Sequence, residues 1–171
     1  MAIEIREATP NEYGAAGRVT AAAYRALLRP DDDLDDWERY LARIADVEDR
    51  AARTVILVAV DDGRVIGSAT LELDGRTDAD DDPLHPRRAH IRMLGVDPPE
   101  QGRGAGPLLM AACEARATAA GKSSMTLNTT QRMAAAQRMY ERLGYVREAD
   151  RVFPDGFVLL SYAKRLSPSM T

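Results

Sequence analysis

Apolar and polar positions follow two rhythms along this chain, and the points where the rhythm changes divide it into elements. Ile3 to Ala8 (IEIREA) alternates in steps of two, the period of a half-buried strand. From Thr9 the apolar spacing lengthens to three and four. Thr9 stands as an N-cap and Pro10 as N1, so a helix is predicted to about Leu28. The polar stretch RPDDDLDD breaks it, and Trp37, Leu41, Ile44 and Val47 then return at helical spacing, a second helix running on through DVEDRAAR. TVILVAV and VIGSATLEL are strands around Asp62-Gly63, a hairpin signal. The polar stretch DGRTDADDDPLHPRR is a loop, and AHIRMLGV a strand. After a glycine-rich turn a helix runs to about Gly121, SSMTLNT is a strand, and QRMAAAQRMYERLGY is a helix ended by Gly144. YVREADRVF and FVLLSYAKRL are strands around PDG, and SPSMT (167–171) is a loose tail.

The order is β-α-α-β-β-β-α-β-α-β-β. Two β-α units ask for parallel pairing in the middle and the hairpins for antiparallel pairing outside it. A single α/β domain over 1–166 is expected, with a mixed sheet and helices on both faces.

The turn raises the first chemical question. Gly102, Gly104 and Gly106 alternate just before a helix, whose N-terminus offers unpaired N–H groups and a positive dipole end. Glycines let an anion come close, so a phosphate or pyrophosphate is the expected guest. Pro107-Leu108 follows where a P-loop needs Lys-Ser or Lys-Thr, and Pro107 also stands where a dinucleotide fingerprint needs its third glycine.

Composition narrows the choice. The 171 residues are 45% hydrophobic, enough for one packed core. The formal charge of −4 argues against a general nucleic-acid binder. Cys113 is the one cysteine, so no internal disulfide forms, and a reducing, cytoplasmic setting is expected. Charges near the start oppose a signal peptide, and no run reaches the ~20 apolar residues of a membrane helix. Cys113 itself, mid-helix beside Leu109, reads as a small buried apolar residue.

Gln101-Gly102-Arg103-Gly104-Ala105-Gly106, after a strand ending in Val96-Asp97-Pro98, reads [Q/R]-x-x-G-x-G/A. This resembles the acetyl-CoA-binding signature of the GNAT-type N-acetyltransferases. The segment AAAQRMYERLGYVRE is similar to that superfamily's last helix and the strand after it, and the element order agrees over nearly the whole chain. The resemblance implies the acyl-CoA N-acyltransferase fold, a centrally splayed sheet of about seven strands. It implies acetyl-CoA as cosubstrate without a metal, and direct acetyl transfer to a primary amine on a small molecule or a protein. It also allows a homodimer. A non-catalytic acyl-CoA-binding module is the alternative.

The resemblance also assigns roles. The amides of Arg103, Gly104, Ala105 and Gly106 would cradle the pyrophosphate behind Gln101 and Gly102, with the Arg103 side chain adding charge. Leu94, Gly95 and Val96 would pair with the pantetheine arm, with a strand bulge at Gly95. Tyr140 takes the place of the general acid; its helical spacing with Ala136, Met139 and Leu143 equally fits core packing. His90 stands at the family's basic position, and an imidazole suits proton uptake near neutral pH; a strand-start residue bonded to a loop is the other reading, with water as the relay. Met133 replaces a common asparagine, for which Asn128 would substitute. The acidic runs Asp31–Asp36 and Asp78–Asp82 read as solvated loops, or, for the first, as a lip that draws in a cationic acceptor; Tyr24 and Trp37 line that mouth or pack in the core.

Overall fold

The computed structural model describes residues 2–167 and shows why the apolar stripes fall where they do. Eight strands form a mixed sheet in the order β1-β2-β3-β4-β5-β8-β6, with β7 paired to β8. They are β1 (Glu4–Glu7), β2 (Val55–Asp61), β3 (Arg64–Glu72), β4 (Arg88–Val96), β5 (Ser124–Thr129), β6 (Val146–Arg147), β7 (Arg151–Val152) and β8 (Val158–Arg165). The helices are α1 (Tyr13–Arg25), α2 (Leu34–Ala45), α3 (Val47–Ala51), α4 (Ala105–Ala119) and α5 (Ala134–Arg142).

Successive strand residues point to opposite faces, so the sheet carries two cores. Leu57, Ala69, Leu71 and Ile91 meet Leu109, Met110 and Cys113 of α4 and Tyr140 of α5 on one face. Ile56, Val58 and Val60 meet Ala16, Val19 and Val47 on the other. The expected layering with helices on both faces holds.

Three boundaries differ from the pattern. Residues 145–153 make two strands of two residues each, so there are eight strands rather than about seven. The second helix starts earlier, at Leu34, because Asp33 caps it by accepting from the Asp36 amide at 3.1 Å. It then breaks at Asp46, whose carboxylate caps α3 through the Asp49 amide at 3.2 Å; a short acidic side chain competes with helix continuation in this way. Of the expected tail, residues 168–171 lie outside the described residues.

Arg50 ties the helical layer to the sheet. It is 2% exposed, and its guanidinium donates to the Arg43, Ile44 and Asp46 carbonyls and to Thr70 Oγ1 at 2.8–3.2 Å. The first two carbonyls belong to the last turn of α2, where the Arg43 carbonyl has the Asp46 amide besides.

The sheet splays at its centre. β4 and β5 pair in parallel only from Arg88↔Ser124 to Ile91↔Leu127. Beyond Ile91, β4 stays bound to β3 alone, through Ser68↔Gly95 and Gly67↔Val96. Between Thr70↔Arg92 and Ser68↔Gly95 one extra β4 residue is accommodated, and Met93 takes φ 52° there. A left-handed unbranched residue costs about 1–2 kcal/mol, a strain held by its packing on Leu41 and Ile44. The bulge expected at Gly95 therefore sits at Met93. Gly95 serves close approach instead: a Cβ there would lie 3.0 Å from Thr20 Cα and 3.2 Å from Ala23 Cβ, where α1 crosses the strand.

Candidate active site

The splay opens a cavity of about 590 Å³ between the free edge of β4, the glycine turn, the end of α1 and the start of α5. Antiparallel strands turn alternate residues away from the partner. Asp97 N donates to Ile66 O, and that phase leaves the amide and carbonyl of Leu94 and Val96 facing the cavity. Gln101 Nε2 donates to the Val96 carbonyl at 3.0 Å and pins the turn to the strand. Gly102 and Gly104 adopt φ 85° and 92°, open to any side of approach, with no atom within 4 Å of where a Cβ would stand. Gly104 is the N-cap of α4. The amides of Ala105 and Gly106 precede the first helical hydrogen bond, made by Leu108 N to Gly104 O, and Pro107 has no amide to offer.

The charge of this cavity is one-sided. Among the described residues Arg132 and Arg142 line it, and no carboxylate does. Arg132 is held by Asp32 at 2.7 and 2.9 Å and lies over the Trp37 ring at 5.4 Å. That pair ties the α1–α2 loop to the start of α5, and the hydrogen bonds from Arg132 hold the Asp32 carboxyl well below the usual carboxylate range. Among the described residues Arg142 makes no ion pair. Away from the glycine turn the lining is mostly alanine, leucine and methionine, Met133 among them. Stray amides, two guanidiniums, apolar walls and a free strand edge suit a long ligand with an anionic head and an amide-bearing arm.

A second, smaller cavity of about 240 Å³ adjoins the other side of the bulge. His90, Arg92 and Met93 of β4 line it together with Tyr40, Asn128 and Arg151. Tyr24 borders both cavities.

His90 is buried, 7% exposed, and its Nδ1 lies 2.7 Å from Thr126 Oγ1. Thr126 gives its only hydroxyl proton to the Ala89 carbonyl at 3.2 Å. His90 Nδ1 must then be the donor in its bond to Thr126, which leaves the Nε2 lone pair free. Burial, with Arg76 and Arg92 adding repulsion, pushes the imidazole down to about 3. The sequence pointed to a ring that titrates near neutrality; the structure holds a neutral ring that is a weaker base than an exposed imidazole.

Tyr140 is 5% exposed, its ring at 6.1 Å from that of Tyr145 and 5.9 Å from that of Tyr162. Burial raises its phenol, which stays protonated. It lines neither cavity, whereas Tyr24 lines both, and burial holds the Tyr24 phenol well above its ordinary value.

Of the sequence-derived residues, Leu94, Gly95, Val96, Gln101, Gly102, Gly104, Ala105 and Gly106 line the large cavity. The Arg103 guanidinium is instead taken by Glu100 at 2.6 Å and Asp61 at 2.9 Å. Asn128 lines the small cavity, with Oδ1 accepting from Ser161 at 3.0 Å. The acidic runs are largely used internally: Asp32 on Arg132, Asp33 as a cap, Asp78 on Arg43 at 2.6 Å and Asp81 on Arg92 at 3.0 Å. Arg132, Arg142 and Arg151 went unnoticed in the sequence, where an arginine on a helix or hairpin carries no motif. Cys113 is fully buried, and burial pushes its thiol up to about 12, so it is no nucleophile.

Comparison with known proteins agrees with this arrangement. The profile of the acetyltransferase (GNAT) family matches residues 19–145. The mycothiol acetyltransferase of Cellulomonas flavigena is 28% identical over 166 residues, covering 87% of this chain and 47% of that protein, so the chain spans about half its length. The fold matches that of the paiA N-acetyltransferase from Thermoplasma acidophilum in complex with coenzyme A, at TM-score 0.73 and 15% identity over 94% of this chain and 98% of that one. It also matches yncA from Salmonella typhimurium with its cofactor acetyl-CoA, at TM-score 0.67 and 22% identity over 100% and 98% of the two chains. A profile match across most of the sequence, on a sheet splayed beside a glycine turn, makes this chain a member of the acetyltransferase (GNAT) family.

Proposed function

We propose that this domain moves an acetyl group from acetyl-CoA directly to a primary amine, with the donor in the large cavity and the acceptor in the small one. The observation that carries the proposal is the splay of β4 from β5 beyond Ile91, which sets two cavities side by side along β4. Its Leu94–Val96 end borders the first cavity, its His90–Met93 end borders the second, and Tyr24 touches both.

The residues suit the cofactor. The amides of Arg103, Gly104, Ala105 and Gly106 receive the pyrophosphate, and Arg142 offers an uncommitted positive charge. Leu94 and Val96 turn their peptide groups to the pantetheine arm as a strand would to its neighbour. Bound acetyl-CoA supplies the acetyl group as a thioester and departs as a free thiol.

On the acceptor side, His90 Nε2 takes a proton from the amine, directly or through water. Its low basicity means that the amine itself must already be largely neutral when it reacts. Tyr140 remains protonated and returns a proton to the leaving sulfur, with Tyr24, which borders both cavities, as the candidate relay. A non-catalytic acyl-CoA-binding module would need the first cavity and have no use for a polar second one.

Replacing Gly104 by Asp puts a carboxylate on the pyrophosphate turn, and aspartate tolerates positive φ better than most residues. Acetyl-CoA binding followed by calorimetry should become at least tenfold weaker, with the circular dichroism spectrum retained. Unchanged affinity in a folded variant refutes the cofactor site. An amine screen for acetyl-CoA-dependent thiol release then separates enzyme from binding module.

A further inference from the structure

The walls of the small cavity are rich in donors. Three arginines line it, Arg76, Arg92 and Arg151, against the single carboxylate of Asp81. Arg76 and Arg92 are committed inside a balanced network. Arg76 Nε binds Glu72 at 3.1 Å, and Arg92 binds Asp78 at 3.3 Å and Asp81 at 3.0 Å. Arg43 binds Asp78 as well. That network sets Arg43, Arg76 and Arg92 against Glu72, Asp78 and Asp81, three charges on each side.

Arg151 stands outside the balance. It lies on the short strand β7, with its guanidinium 4.8 Å from the Phe153 ring centre, and among the described residues it makes no ion pair. Next to it the Asn128 amide spends its oxygen on Ser161, which leaves the NH₂ group as a donor. The Tyr24 and Tyr40 phenols also line the cavity, and burial keeps both protonated. Among the described residues, Asp81 is the carboxylate that lines the cavity and it is paired with Arg92, so Arg151 is left as an uncompensated positive charge.

We infer that the acceptor amine carries an acidic group, a carboxylate in an amino-acid-sized molecule, which Arg151 and Asn128 hold while the amine faces His90. A volume of about 240 Å³ is room for roughly eight waters at about 30 Å³ each, the scale of one amino acid. A carboxylate accepts the arginine fork in two parallel bonds and is the natural complement of such a wall. In the run Asp31–Asp36, which suggested a cationic acceptor, Asp32 is taken by Arg132 and Asp33 caps α2, and neither residue lines the small cavity. This inference rests on the proposed acetyl transfer and names the substrate class for the same site.

The test uses matched pairs, the common amino acids and their carboxamides, which differ only in the acidic group. Thiol release from acetyl-CoA should run with kcat/KM about 10- to 100-fold higher for the preferred acid than for its amide. Arg151→Gln should erase that preference, mainly through a higher KM for the acids, with a smaller loss for the amides. Direct binding of the same acids and amides to the coenzyme A-saturated protein, read by saturation-transfer NMR, gives the answer without turnover. Equal or better handling of amides, equal loss for both classes in Arg151→Gln, or no binding by any acid overturns the inference. Failure of the transfer reading itself has a different signature, since acetyl-CoA would then not bind at all or would bind with no amine of either class consumed.

Discussion

His90 should make the protein acid-sensitive in a way that one substitution removes. In the folded chain its ring titrates at about 3, against about 6.5 in an unfolded chain. Between those values the unfolded state holds a proton that the folded state does not, so stability falls as the pH is lowered through that window. Each unit of pH is worth about 1.4 kcal/mol for a single proton. From pH 7 to pH 5 only the stretch below about 6.5 counts, so wild type should lose about 2 kcal/mol more than His90→Gln, whose amide does not titrate. Urea unfolding at both pH values, followed by fluorescence of the single tryptophan, Trp37, reads this directly. The other histidine, His85, is exposed and present in both proteins, so it cancels. A wild-type-minus-variant difference that stays within about 0.5 kcal/mol at the two pH values would show that His90 titrates like an exposed ring and would remove the burial argument. The same burial carries over to kinetics: the ring stays neutral across the usual assay range, so the rate should follow the acceptor amine's own titration and show no His90 inflection near neutrality.

Tyr140→Phe, which removes one hydroxyl from a packed ring, should lower turnover roughly 10²–10⁴-fold with acetyl-CoA affinity kept; turnover near wild type would make Tyr140 a packing residue and shift the acid to Tyr24, tested by Tyr24→Phe. Arg50→Met should strip a donor from each of three carbonyls and from Thr70; the Arg43 carbonyl keeps the Asp46 amide, and at about 1–3 kcal/mol for a buried acceptor left bare the loss should reach at least about 2 kcal/mol in urea unfolding. A shift below about 0.5 kcal/mol would mean that water replaces the guanidinium.

Local patterning in the sequence was enough for the elements, the parallel centre of the sheet and the glycine turn. These depend on short-range physics: alternation that matches a pleat, spacing that matches a helix face, and glycines that tolerate positive φ just ahead of a helix. Gln101 to Gly106 and Leu94 to Val96 were legible because the residues around an anion-binding turn are contiguous. What the tertiary structure decided came from distant residues meeting. The bulge moved from Gly95 to Met93 because α1 needs the glycine for contact and α2 holds the methionine. The Arg103 guanidinium is engaged by Asp61, forty-two positions earlier and invisible as a partner in the sequence. Asn128 and Arg151 share a cavity with Arg92 only because the sheet order brings β4, β5, β7 and β8 together. The basicity of His90 lay furthest from reach, since a pKa belongs to the surroundings of a ring: its residue type promised a group titrating near neutrality, and desolvation beside Arg76 and Arg92 reversed that.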